Sequence, residues 1–356
     1  MVAFDIKKLL QSVVAHGASD LHLVSRTEPQ IRLDGALKPV NLPKLTGEDI
    51  EEMCYSLITE KQKQHFEEHD ELDFALLLPG IGRFRANYYR TLGDTAAAFR
   101  TIPIDVPSLD DLGAPEVYKK LIKREKGLIL VTGPTGSGKS TTLAAMLNEI
   151  NIHEQKHIVT VEDPVEFIHQ NKKAVFSHRG VGEDTKSFAT ALKYAMRQDP
   201  DIILIGEMRD KETIEAALTA AETGHLVFGT LHTSSAPGTI NRIIDVFSGD
   251  EQPQIRAMIS SSLVAVIAQA LLPKLGGGRV AASEILLTNH AISNLIREDK
   301  VHQIYSQMQL GQGDTGMQTQ TQALMKFLKD GKISRDVALQ YANRPDEVSK
   351  ATMMMK

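Results

Sequence analysis

Four groups of residues in this chain have types and spacings that could do chemistry. The first is Gly133-Pro134-Thr135-Gly136-Ser137-Gly138-Lys139-Ser140-Thr141, which fits G-x-x-x-x-G-K-[ST] at every fixed position. Glycines let successive backbone N–H groups turn inward around phosphate oxygens, where side chains would clash. Lys139 can reach the β- and γ-phosphates as a point charge, and the Ser140 hydroxyl can ligate Mg²⁺. These residues define a nucleoside-triphosphate site, with Mg²⁺ as the expected metal.

The second group is Glu162, Asp163 and Glu166, three carboxylates within five residues after the apolar run Ile158-Val159-Thr160-Val161. Such carboxylates repel one another unless a cation and a reacting water use them. One is expected to act as general base on the attacking water, Glu166 first and Glu162 second, with Pro164 aiming them. A solvated strand end is the plain alternative. The third group is Glu207, directly after the run Ile202-Ile203-Leu204-Ile205-Gly206. A carboxylate there can hold Mg²⁺ or its water, and it is favoured over Asp201, which precedes the run. A helix cap is the alternative. The fourth is His225 and His232, at the two ends of Leu226-Val227-Phe228-Gly229-Thr230-Leu231. They suit a sensor of the γ-phosphate and equally suit core histidines; nothing nearby suits zinc. Finally, Arg83 and Arg85 lie two apart and so share a strand face, with Arg90 and Arg100 near in sequence. Supplied to a neighbouring subunit's site, they could stabilise phosphoryl-transfer charge; a solvated face is the alternative.

The elements that must position these groups follow from patterning. Leu128-Ile129-Leu130-Val131 is too short for a buried helix and reads as a buried parallel strand. A helix follows it, with its positive end facing the phosphates. Strands near 127–132, 157–162, 201–206 and 225–231 alternate with helices near 139–151, 186–197, 211–222 and 235–246, the pattern of a mostly parallel sheet. From 252 onward the chain reads as largely helical, broken by a hairpin around Gly276-Gly277-Gly278. Residues 1–102 read as α+β: a helix over 5–16, a strand over 20–24 carrying a structural His22, and a strand–turn–strand at Asp34-Gly35. Helices near 46–59 and 60–68 and strands near 71–77, 82–90 and 95–102 complete it. Pro103, Pro107, Gly113 and Pro115 mark 103–115 as a linker and hinge. Met353-Met354-Met355-Lys356 reads as a frayed tail.

Composition bounds the function. A chain of 356 residues exceeds one ordinary core and implies two domains. With 42% hydrophobic and 24% charged residues, the composition is that of an ordinary soluble globular protein and argues against disorder. A net charge of -5 and the lack of tryptophan argue against a nucleic-acid binder. A single cysteine, Cys54, excludes an internal disulfide and a Cys₄ zinc site, and fits a reducing cytoplasm. The start, MVAFDIKKLLQ, lacks the apolar core of a signal peptide, and the longest apolar stretch, 263–272, is too short to cross a bilayer. Membrane contact is therefore expected only through partners.

Read in order with Gly17-Ala18-Ser19-Asp20-Leu21-His22, these blocks make the chain resemble the secretion ATPase superfamily, the motors of type II and type IV secretion and of type IV pili, and most closely its pilus-retraction branch. The resemblance implies that 133–141 is a Walker A loop, 158–166 an acidic "Asp box", 201–209 a Walker B segment and 225–233 a "His box". Glu166 would be the catalytic glutamate, Glu207 the Walker B glutamate, and His225 with His232 a sensing pair. The implied architecture is α/β, a RecA-like P-loop ATPase core over 116–356 behind a PAS-like N-terminal domain over 1–102. The implied assembly is a homohexamer at the inner-membrane base of a pilus, acting on a platform protein to power retraction and twitching motility. Ala291-Ile292-Ser293-Asn294-Leu295-Ile296-Arg297-Glu298 is similar to the branch's retraction motif except at Ser293, where the motif carries arginine. Extension and type II secretion motors usually carry a further N-terminal domain and a tetracysteine insertion, which this start and one cysteine disfavour. An accessory retraction paralogue and a DNA-translocating RecA-like ATPase are the other rivals.

Overall fold

The computed structural model describes residues 5–33, 35–102, 105–310 and 315–353. Asp34 of the expected turn, Pro103 of the expected linker and Met354, Met355 and Lys356 of the expected tail lie outside the described residues. The chain divides into two compact units, Met1–Asp105 and Val106–Lys356.

The first unit runs α1 (Ile6–Ala15), β1 (Asp20–Leu23), β2 (Gln30–Leu33), β3 (Ala36–Pro39), α2 (Gly47–Tyr55), α3 (Glu60–His69), β4 (Glu71–Leu78), β5 (Gly82–Thr91) and β6 (Asp94–Ile102). Its strands pair antiparallel in the order β3-β2-β1-β6-β5-β4. Each helix starts where a short polar side chain satisfies an orphan backbone N–H. Asp5 accepts from Lys7, and Thr46 and Thr59 form capping boxes with Asp49 and Gln62. The second box explains why the helix expected over 46–59 ends at Tyr55: Thr59 is already committed to opening α3. Alternating residues of the sheet meet the helices in a core of Leu10, Leu21, Ile50, Phe66, Phe84, Tyr88 and Phe99.

The second unit runs α4 (Val117–Leu121), β7 (Gly127–Thr132), α5 (Lys139–His153), β8 (His157–Glu162), β9 (Val175–Gly180), α6 (Phe188–Ala195), β10 (Ile202–Ile205), α7 (Lys211–Glu222) and β11 (Leu226–Leu231). It continues with α8 (Ala236–Ile244), α9 (Gln252–Ser262), β12 (Leu263–Pro273), β13 (Arg279–Leu287), α10 (His290–Arg297), α11 (Ile304–Leu310), α12 (Gln320–Lys329), α13 (Arg335–Tyr341) and α14 (Pro345–Met353). The sheet order is β13-β12-β7-β11-β10-β8-β9, parallel throughout except for β13. Helices cover both faces. Leu128, Leu130, Ile203, Val227 and Val266 enter one core, while Ile129, Val131, Leu204, Phe228 and Ile267 enter the other. That two-sided burial is why the strands read as unbroken apolar runs.

After 252 the chain is helical apart from the expected hairpin around Gly276-Gly277-Gly278, which is long: residues 263–273 and 279–287 pair antiparallel, and the first of these strands lies beside β7. A ten-residue apolar stretch fits a strand covered on both faces as well as it fits a helix, so periodicity could not choose. The linker is shorter than expected. Val106 already belongs to the second unit, and Leu109 is buried against Val117 and Tyr118. Met353 ends α14. Among the described residues no helix is long and apolar enough to cross a membrane.

Candidate active site

The phosphate loop joins the carboxyl end of β7 to the first turn of α5. Gly133 has φ 143°, and a Cβ there would stand 2.2 Å from the carbonyl oxygen of Gln269; no other residue type fits this turn. Pro134, Thr135 and Gly136 are exposed. Ser137 is buried, and its Oγ has no hydrogen-bond partner among the described residues. Lys139 opens α5 and folds back over the loop, its Nζ donating to the carbonyls of Gly133 (2.8 Å) and Pro134 (3.2 Å). Burial pulls its pKa down, opposed by the carboxylates of Glu207 and Glu166. The lysine therefore sits in the field of both. Thr141 and Ser140 follow, half-buried, in the first turn of the helix.

Glu162 ends β8 and is 9% exposed. Its Oε2 accepts the backbone N–H of Glu166 at 3.1 Å, so one carboxylate of the acidic group holds the segment bearing the other. The intervening Asp163–Pro164 peptide is cis. Glu166 is half-buried and Asp163 exposed. The chain passes Glu162 closely at Gly206, where a Cβ would come within 3.1 Å of the Glu162 Cα. Beyond Gly206, Glu207 receives His232 Nε2 at 3.0 Å and the Nε of Arg209. Burial raises its pKa, but Arg209, His232 and Lys139 together outweigh burial and hold it below the usual glutamate value. The segment is tied to β11 by Met208 N–H donating to the Thr230 carbonyl (3.0 Å) and Thr230 Oγ1 donating to the Gly206 carbonyl.

Lys139, Ser140, Glu162, Glu166, Glu207 and His232 thus gather at the carboxyl edge of one parallel sheet. His225 does not join them. It precedes β11, at the opposite end from His232, and its Nδ1 bonds the Ala220 carbonyl at the end of α7 (2.9 Å). The two histidines lie at the two ends of β11, as expected, and within one chain the six-residue strand leaves only His232 beside Glu207. Asp201 is also at the far end, accepting from His157 N–H (2.8 Å) and pairing with Lys156 (3.2 Å). In the first unit, Arg83 is buried in β5 and Arg85 Nε pairs with Asp73 (3.2 Å). Arg90 binds Glu51 and Arg100 binds Asp20.

Sequence reasoning missed Gln269 on β12. It is 4% exposed, its Nε2 donates to the Ser137 carbonyl (2.7 Å), and its Oε1 accepts from Thr142 Oγ1 (3.0 Å). The available signal is one amide inside the apolar run Leu263–Pro273, where a lone polar group needs partners. The donor set at the site is one of hard oxygens, Ser140 with Glu207. Mg²⁺ is ordinarily held by one or two such protein groups plus phosphate oxygens, so these residues fit it.

The family model described as "Type II/IV secretion system protein" matches residues 1–277. The chain is 51% identical over 342 residues to a type IV pilus retraction ATPase, PilT, of Pseudomonas aeruginosa, covering 96% of this chain and 99% of that protein. It is 47% identical over 349 residues to a twitching motility protein of Neisseria gonorrhoeae, covering 98% and 93%. A crystal structure of the pilus retraction motor PilT with bound ADP superimposes with a TM-score of 0.91 at 48% identity, covering 98% of this chain and 99% of that one. The shared fold, the matched phosphate loop and the near-complete coverage place the chain in one family: it belongs to the type II/IV secretion system proteins.

Proposed function

We propose that this chain is an ATP-hydrolysing motor of type IV pilus retraction. The reading is carried by the 51% identity, over 96% of the chain, to a type IV pilus retraction ATPase, together with Lys139 resting on the Gly133 and Pro134 carbonyls at the carboxyl edge of the sheet. That edge is where an open α/β sheet binds its ligand. The backbone of residues 133–138 would wrap the phosphates, and Lys139 would leave the loop carbonyls for the β- and γ-phosphates. Ser140 and Glu207 would hold Mg²⁺, which, when bound, neutralises charge on the phosphates. Glu166, half-buried and held by Glu162 through its backbone, is the general base that orients and deprotonates water. His232 keeps Glu207 aimed and links it to the end of β11.

The first unit, in this reading a PAS-like domain, would supply Arg83 and Arg85 to the next subunit of a homohexamer, making turnover depend on assembly. The motor would work in the cytoplasm at the inner-membrane pilus base, through a platform protein and without nucleic acid. A strain lacking this chain is expected to be hyperpiliated and immobile on surfaces. A bald strain would assign the motor to extension and overturn the reading.

A further inference from the structure

Between the first turns of α5 and the acidic segment is a partly open cavity of about 30 Å³, lined by Ser140, Glu162, Phe167, His169, Leu204 and Thr230, among others. It has room for one or two waters. His169 is 7% exposed, and its Nδ1 has no hydrogen-bond partner among the described residues. A buried ring nitrogen in that state calls for a partner. The plane of the ring is held by its stack on Phe176, with centroids 4.5 Å apart at 11°, and the His169 backbone N–H donates to His178 Nε2 (3.2 Å). Because that nitrogen accepts, the His178 proton is assigned to Nδ1, which meets Thr160 Oγ1 at 3.0 Å. Thr160 lies two residues before Glu162 on β8, so this chain of bonds ties the His169 end of the acidic loop back to the strand that begins it. Burial, with smaller effects of His178 and Lys172, holds the His169 imidazole down to about 4. Its ring is therefore neutral and offers one N–H and one lone pair.

We propose that His169 Nδ1 and the Glu162 carboxylate share a buried water in this cavity, making His169 a positioning residue for the segment that bears Glu166. The proposal rests on the ATPase reading above. Thr230 and Ser140 also line this cavity, and with His169 and Glu162 they could give a water the two to four polar partners that an ordered site needs. Glu162 already holds the Glu166 N–H; the water would fix the carboxylate that does so. Loss of the water should let the base drift and slow chemistry without loosening the nucleotide.

The test uses the full-length assembled protein, with steady-state ATP hydrolysis, ADP affinity and Tm as readouts. His169→Phe keeps the stacked ring and removes Nδ1, His169→Asn restores a polar atom near that position, and Ala144→Val fills the cavity from α5. His169→Phe and Ala144→Val are expected to lower kcat about 10-fold or more with KM and ADP affinity within about 2-fold, while His169→Asn stays within about 3-fold of wild type. A wild-type kcat in His169→Phe, or equal losses in His169→Phe and His169→Asn, would overturn the proposal. If His169→Phe is too unstable to assay, Ala144→Val decides: full kcat with the cavity filled removes the water. Lys139→Ala is assayed alongside, because wild-type hydrolysis in that variant would mean that the ATPase reading, not the water, has failed.

Discussion

The two ends of the second unit's sheet carry the same kinds of side chain and use them differently. At the amino ends, Asp201 binds Lys156 and the His157 N–H, and His225 bonds a carbonyl of α7. Each of these groups spends its polar capacity on tying one element to the next. At the carboxyl ends, Lys139, Glu166, Glu207 and His232 surround a glycine loop and a helix start. Lys139 rests on the loop's own carbonyls and sits in the field of the Glu207 and Glu166 carboxylates. In a parallel sheet the carboxyl ends lead into helix N-termini, whose N–H groups have no partner within the helix. An anion is attracted to that end alone. Lysine, acid and histidine are structural at one edge and poised for substrate at the other, so residue type does not assign the role; strand direction does.

Paired substitutions across the sheet can break that comparison. The largest contrast is Lys139→Ala against Lys156→Ala. The first is expected to weaken nucleotide binding and to cut hydrolysis about 10³-fold, because it removes charge from the phosphates. The second should leave hydrolysis within about 2-fold, since an exposed pair contributes little. Comparable losses in an ATPase assay would erase the distinction between the edges.

Next is Glu166→Gln, expected to retain ADP and ATP binding while lowering kcat by about 10²-fold or more, the usual worth of a positioned base. Normal turnover in single-turnover kinetics would shift the role to Glu162. The histidines give a smaller contrast. His232→Ala should lower kcat about 10-fold by releasing Glu207, whereas His225→Ala should hold kcat within about 2-fold and destabilise the end of α7 by about 0.5–1 kcal/mol. A large kcat loss in His225→Ala, measured in the full-length protein, would show that the far edge reaches a site after all.

The smallest expected effect concerns Asp201. Burial raises its pKa, but the His157 N–H and Lys156 hold it below the ordinary aspartate value. A depressed folded-state pKa adds stability above the unfolded-state pKa, and that stability is lost as pH falls through the folded value. Asp201→Asn should therefore lower Tm at neutral pH by about 2 °C, flatten the acid side of the Tm–pH curve and leave kcat unchanged. An unchanged acid limb would remove Asp201 from the ties at that edge.

The late helix α10 shows how far local motif reading goes. Asn289 caps it, Ile292 and Ile296 are buried, and Asn294 and Arg297 are exposed. Amphipathic spacing alone predicts this arrangement. What Ser293 does there was not legible: its Oγ donates to the Ser260 carbonyl of α9 (2.9 Å), a bond that depends on how two helices pack.

The sequence by itself determined the phosphate loop, the carboxylates that end β8 and β10, and the alternation of strands and helices. Each depends on backbone rules acting within a few residues: glycine at a left-handed turn, apolar runs for two-sided strands, polar caps at helix starts. Only the tertiary structure decided which strand lies beside β7, that Gln269 braces a loop 132 positions earlier, which groups His225 and Asp201 bond at the far edge, and that His169 and Glu162 line one cavity. Those facts are set by register and crossover between segments distant in the chain, where packing of whole faces chooses the neighbours and no local periodicity records the choice.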